Sequence, residues 1–171
     1  MKKLLFTLML CCIGLAASAQ KESGYRGFVD AGYAFSVSEL QVYGSSSTYD
    51  ISNRVLLSTT HGYQIIPQLF VGAGVGMTYW HESDNNSFGV PIFADVRSDF
   101  YNFGKLGLFA DVKAGYSVAD IEGFYFMPKV GLRLGVSEKV GLNLGVGYQM
   151  QKVKDIDGSC DAVAITFGVD F

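Results

Sequence analysis

The sequence predicts an all-β fold, an antiparallel up-and-down barrel of eight strands, and three observations carry that expectation. Segment after segment alternates bulky apolar residues with small or polar ones at the period of two that a strand imposes. Most of the 21 glycines fall on the less apolar face of those segments. The connections also alternate, short links separated by longer polar ones.

Taken in order, residues 1–19 read as a secretory signal peptide. Lys2 and Lys3 precede the apolar run Leu4 to Ala17, and Ala17-Ser18-Ala19 offers small residues for cleavage before Gln20. The run is too short for a transmembrane helix, and no hydrophobic stretch follows to stop transfer. Leu10 before Cys11 argues against lipidation there. Residues 20–171 then make one domain. Processing removes two lysines and no acid, so the mature chain is more acidic than the net −3 of the whole, which excludes a nucleic-acid partner. Cys160 is the only cysteine left, so export comes without a disulfide framework.

The strands are expected at Tyr25–Val37, Ile51–Ile65, Leu69–Trp80, Val90–Tyr101, Leu106–Val118, Phe124–Val136, Val140–Gln151 and Ala162–Phe171. The first sets Val29, Ala31, Tyr33, Phe35 and Val37 against Asp30, Gly32, Ala34 and Ser36. The last sets Val163, Ile165, Phe167, Val169 and Phe171 against Ala162, Ala164, Thr166, Gly168 and Asp170. Links near Ile66–Pro67, Phe103–Lys105 and Ser137–Lys139 are short; those at Ser38–Asp50, Glu82–Ser87, Ala119–Gly123 and Lys152–Ser159 are longer. Short turns on one rim and long loops on the other are the pattern of a membrane barrel. Gly32-Tyr33, Gly115-Tyr116 and Gly147-Tyr148, with Gly76 and Tyr79 as a looser version, repeat at similar places and predict an aromatic girdle near the long-loop rim.

The glycines decide which face is inside. A soluble barrel would expose them, weakening its strands for no gain. Turned inward they fit a narrow lumen, and bulky Val, Leu, Phe and Tyr meet lipid, where only a closed sheet satisfies every backbone group.

Thr59-Thr60-His61-Gly62-Tyr63, Phe70 to Gly76, Lys113 to Val118, Gly141 to Tyr148 and the closing Phe171 carry a resemblance. Over essentially the whole mature chain the sequence resembles the small outer-membrane β-barrels of the outer-membrane protein A and X type. The resemblance implies a bacterial outer-membrane location with loops extracellular and termini periplasmic. It also implies that Phe167, Val169 and Phe171 form the signal read by the barrel assembly machinery.

Asp30, Arg54, Asp95, Arg97, Asp111, Lys113, Lys129 and Arg133 fall on the lumen face, with Asn143 and Gln149 between them. An ion path and a plug of paired charges both fit; the plug is favoured, because so few strands leave little bore and buried charge must be paired. The register of the fourth and fifth strands follows from the same charges. Setting Asp95 opposite Lys113 and Arg97 opposite Asp111 makes two complementary pairs, with a three-residue turn at Phe103-Gly104-Lys105.

Glu39, Asp50, Glu82, Asp84, Asp120, Glu122, Asp155, Asp157 and Asp161 form an acidic outer rim against Lys152 and Lys154 alone. Beside lipopolysaccharide such a rim calls for divalent cations bridging the two, though no specific metal site is expected. His81-Glu82-Ser83 raises a lipid A-modifying enzyme, but adjacent residues on one strand point apart and cannot themselves form a triad. The expectation is therefore a monomeric, cofactor-free, non-catalytic barrel with a structural or surface-interaction role. A lipid A-modifying enzyme and a narrow conduit for small or hydrophobic molecules are the alternatives.

Overall fold

The computed structural model describes residues 23–37, 39–41, 48–50, 53–80, 87–137, 139–152 and 159–171. The signal-peptide residues 1–19 lie outside these, as do His81, Glu82, Ser83, Asp84, Lys154, Asp155 and Asp157; the side chains of Glu39 and Asp50 are likewise not described. The described residues form ten strands: β1 Gly24–Ser36, β2 Glu39–Gln41, β3 Thr48–Asp50, β4 Arg54–Ile66, β5 Leu69–Trp80, β6 Ser87–Phe103, β7 Leu106–Ala119, β8 Gly123–Gly135, β9 Gly141–Lys152 and β10 Ser159–Asp170. Eight of them close into one antiparallel barrel in the order β1-β10-β9-β8-β7-β6-β5-β4, each paired to the next barrel strand along the chain except at the seam. The seam joins β1 to β10, from Phe28 opposite Asp170 to Ser36 opposite Ala162. Each of the eight expected strands has its counterpart here. The segment read as one long loop after β1 differs, for it carries the small hairpin of β2 and β3.

Closure divides the residues into two populations. Along β9, Gly141, Asn143, Gly145, Gly147, Gln149 and Gln151 are buried, whereas Leu144, Val146 and Tyr148 lie uncovered on the outside. β10 repeats the alternation with Ala162, Ala164 and Thr166 inward and Val163, Ile165 and Phe167 outward. The outward set reads as a lipid-facing belt. Tyr33, Phe35, Phe88, Tyr116, Phe124 and Tyr148 are exposed towards the long-loop end, and Tyr25, Tyr63, Phe100, Tyr101 and Phe103 towards the short-turn end. Two aromatic girdles around an aliphatic band suit the two interfaces of a bilayer, where an amphipathic ring is favoured.

The register of β6 and β7 sets Asp95 opposite Lys113 and Arg97 opposite Asp111, as the charges predict. The turn does not have three residues. A bulge between Asp99 and Tyr101 shifts the pairing by one, so Phe103 faces Leu106 and only Gly104 and Lys105 turn. Gly104 takes φ +62°, which a two-residue hairpin with glycine first requires.

Inward glycines leave space that aromatic rings and neighbouring backbone fill. A Cβ on Gly115 would stand 2.0 Å from the Ile92 carbonyl oxygen, whereas one on Gly76 would meet the Leu57 oxygen at 3.1 Å. Gly115→Ala should therefore destabilise the barrel by about 1–3 kcal/mol and Gly76→Ala by less, measured by urea unfolding in detergent. On the lipid side, Leu144 is 51% exposed in the aliphatic band. Leu144→Arg should cost roughly 2–4 kcal/mol by the same assay, while Val136→Arg at the short-turn rim should cost about 0–1; equal stabilities would mean the faces are reversed.

Candidate functional site

The lumen is the densest concentration of chemistry in the molecule, and it is filled in layers. All eight charges expected on the inner face point there, seven of them buried and Arg133 partly so. Nearest the long-loop end, Arg54, Trp80, Ser117, Gln149 and Gln151 form a polar cap. Arg54 comes from the first residue of β4 and donates through Nε to Gln149 Oε1 at 3.1 Å and through Nη2 to the Cys160 carbonyl at 3.0 Å. Its guanidinium also lies 5.6 Å from the Trp80 ring centroid. Beneath it comes an apolar belt of Ala34, Leu56, Phe93, Tyr125, Met127, Ala162 and Ala164.

The middle layer pairs two lysines with aspartates. Asp30 Oδ2 accepts from Lys113 Nζ at 2.8 Å and from Lys129 Nζ at 3.1 Å, and Lys129 also reaches Asp111 at 3.2 Å. Lys113 donates further to Ser58 Oγ at 3.1 Å. A cavity of about 20 Å³ lies between this layer and the apolar belt, large enough for one water and too small for a solute path.

At the short-turn end a second network closes the lumen. Arg133 Nη2 donates to Asp170 Oδ2 at 2.7 Å, Asn143 Nδ2 to Asp170 Oδ1 at 2.9 Å, and Arg97 Nη2 to Asn143 Oδ1 at 2.7 Å. Arg26 bridges Asp99, Gln64 and Asp170, and Arg97 pairs with Asp99 at 3.1 Å. The Arg97 guanidinium lies 3.6 Å from the Phe109 ring centroid and 4.7 Å from that of Phe28. Stacked between rings and bonded at its edge, it fills the bore.

Two expectations need correction. The register holds, but the pairs drawn from it do not form: Lys113 goes to Asp30 and Arg97 to Asp99 and Asn143. Side chains on a concave inner face converge on the axis, so in a bore this narrow a strand across the lumen is as near as a neighbour. β1 and β7 are not adjacent in the barrel, yet their Asp30 and Lys113 meet. Nor do all bulky residues face lipid. Phe28, Phe70, Trp80, Phe93, Phe109 and Tyr125 are buried, and glycines beside several of them make room: a Cβ on Gly72 or Gly74 would meet the Phe70 or Phe93 ring at 2.6 Å, and one on Gly131 the Phe109 ring at 2.7 Å. Asp99 and Asp170, which strand parity also puts on the inner face, belong to the network, and so does Arg26, for which its parity with Asp30 was the available signal.

Of the acidic rim, Asp120, Glu122 and Asp161 have described side chains. Asp120 accepts from the Phe88 backbone N–H at 3.2 Å, and Asp161 accepts from the Tyr148 hydroxyl at 2.9 Å. No group of three or more potential metal ligands occurs among the described residues. Phe167 is exposed on the lipid face, and the Phe171 ring covers Gly27 across the seam, 6.4 Å from the ring of His61. His61 itself faces outward in the short-turn half, its ring nitrogens bonded to the hydroxyls of Tyr25 and Thr59.

No protein-family model matches the chain, and no curated protein matches it. Solved structures share its fold. The crystal structure of Neisserial surface protein A superposes with a TM-score of 0.67 at 14% identity, covering 86% of this chain and 97% of that one. The outer membrane protein OprG from Pseudomonas aeruginosa gives 0.55 at 9% identity, over 89% and 98%. A de novo designed transmembrane β-barrel gives 0.51 at 14% identity, over 90% and 98%. At these identities the likeness is one of fold, and it is the small outer-membrane barrel fold that the sequence resembles.

The ion pairs set a test of the plug. Asp30→Asn should destabilise the barrel by about 3–5 kcal/mol, because it leaves two buried ammonium groups short of a carboxylate. Arg97→Glu combined with Asp111→Arg should recover none of the loss from Arg97→Glu alone, since these two side chains do not pair; both comparisons are read by urea unfolding in detergent.

Proposed function

We propose that this protein is a bacterial outer-membrane β-barrel with its longer links outside the cell, acting as a structural or binding surface at that end and catalysing no reaction. The observation that carries this reading is the filled lumen. An apolar belt and two ion-paired layers span the bore, so the interior serves the barrel and the variable chemistry is left to the ends. The orientation rests on the strands: β1 begins and β10 ends at the short-turn rim, the side that faces the periplasm when such a barrel is inserted after export.

Acids of the loop end, with Asp120 and Glu122 exposed, suit contact with phosphate-bearing lipopolysaccharide through bridging divalent cations. The barrel is self-contained as a monomer, since its own sheet closes without a second copy. The seam-covering position of Phe171 fits a role for Phe167, Val169 and Phe171 as the signal for the assembly machinery. The one histidine among the described residues, His61, faces lipid far from the loop end, which weighs against a histidine-based lipid A-modifying site built from these strands.

Cells expressing the protein should hold it in the outer-membrane fraction with heat-dependent gel mobility, and protease added to intact cells should cut only in the longer links. Lipid A from those cells should show an unchanged acylation pattern by mass spectrometry. Recovery from the soluble periplasm would overturn the membrane reading, and an altered lipid A that reverts with His81→Ala would overturn the non-catalytic one.

A further inference from the structure

Of the buried aspartates, Asp30, Asp99, Asp111 and Asp170 each lie in an ion pair. Asp95 differs. It is 2% exposed, it takes part in no ion pair or hydrogen bond among the described residues, and its Oδ1 is buried without a partner. The middle layer explains why. Its three carboxyls, Asp30, Asp95 and Asp111, face two ammonium groups, and these spend their contacts on Asp30, Asp111 and Ser58. Arg97, two residues along β6, stacks on Phe109 and bonds towards the short-turn end, to Asp99 and Asn143. Tyr125 donates its hydroxyl to the Met127 sulfur. On the other flank, β5 sets Gly72 opposite Asp95 and so offers no side chain to it there.

Its neighbour on β7 is another carboxyl. Lys113 stands opposite Asp95, and Asp111 comes two residues before Lys113, so the two aspartates are diagonal neighbours on the inner face. They act on one another electrostatically, and Asp30, Lys113 and Lys129 are the other charges that act on Asp95. Asp111 meets Lys129 through Oδ2 and leaves its own Oδ1 buried without a partner. Two adjacent buried carboxylates repel, and each idle oxygen adds an unmade hydrogen bond; one proton between them removes both costs. We propose that Asp95 and Asp111 share a single proton at neutral pH, with the Asp95 carboxyl as donor and Asp111, held by Lys129, as acceptor. The middle layer is then balanced, two carboxylates against two ammonium groups. The shared proton is also a part of the plug that alkaline medium removes, so the layer loosens as pH rises.

Infrared spectra of the full mature barrel, refolded in detergent in heavy water near neutrality, read the proton directly. They should contain the carbonyl stretch of a protonated carboxylic acid, on the high-frequency side of the amide band. Asp95→Asn and Asp111→Asn should each lose it, since either leaves two carboxylates for two lysines, whereas Asp120→Asn at the exposed loop end should keep it. Two variants guard against one failing to fold. Stability gives the second reading. An unfolded aspartate is ionised above about pH 4, so between about pH 5 and 7 only the folded state holds the proton, and stability falls as pH rises. Relative to Asp95→Asn, the unfolding equilibrium constant of the wild type in urea should therefore rise about tenfold per pH unit in that window. Absence of the band in the wild type, its survival in Asp95→Asn, or a ratio flat with pH would each overturn the proposal. A ratio that instead follows sodium, exchanged for a bulky organic cation, would assign the place to a metal ion and overturn it too.

Discussion

Everything in this barrel follows from the backbone's need for hydrogen bonds where water is absent. An open sheet in hydrocarbon would strand a row of amides and carbonyls at each edge, and only closure removes both edges. Closing eight strands fixes a narrow interior, and what lies inside it has to be accommodated by side chains. The exterior is simple by comparison, a band of Val, Leu and Ile between two rings of aromatics.

The interior solves two problems with one set of residues. Glycines thin the wall so that Phe70, Phe93 and Phe109 can occupy the bore, and the remaining space is taken by charges that neutralise one another. Four of the seven ion pairs among the described residues, Arg26–Asp99, Lys113–Asp30, Lys129–Asp30 and Arg133–Asp170, tie together strands that share no backbone bonds. Asp30 alone links β1 to β7 and β8 through Lys113 and Lys129, and Asp170 links β10 to β8 through Arg133. The network thus opposes sliding of strands, since a slip by one residue would turn the charges out into lipid.

Much of this was legible in the sequence. Alternation identified the eight barrel strands, and their parity assigned Asp30, Arg54, Asp95, Arg97, Asp111, Lys113, Lys129 and Arg133 to the inside. Charge complementarity even placed Asp95 opposite Lys113. Parity is a property of one strand, however, and the contacts across the lumen depend on the curvature of the whole wall. Flat-sheet reasoning therefore paired Lys113 with its neighbour when its ammonium group reaches Asp30 instead. The bulge beside Phe100 escaped notice for a related reason: an extra residue in one strand leaves the hydrophobic pattern on either side of it intact. Residue type alone does not decide the face: Phe109 shares the parity of Asp111 and Lys113, and Phe70, Phe93 and Phe109 turn inward where a nearby glycine leaves room for the ring.

The seam carries a consequence for time. Along the rest of the barrel each strand lies beside its successor and can pair as soon as both exist, but β1 must wait for β10, which is the whole barrel away along the chain. Contacts of such sequence separation are slow to form, and until they do, two full-length strand edges remain open. In that interval Asp30 on β1 and Asp170 on β10 sit at the two unjoined edges of a half-built wall. An unclosed chain of this kind is prone to pair with another copy before it pairs with itself, so its success in a crowded compartment depends less on final stability than on being kept apart until the last strand arrives.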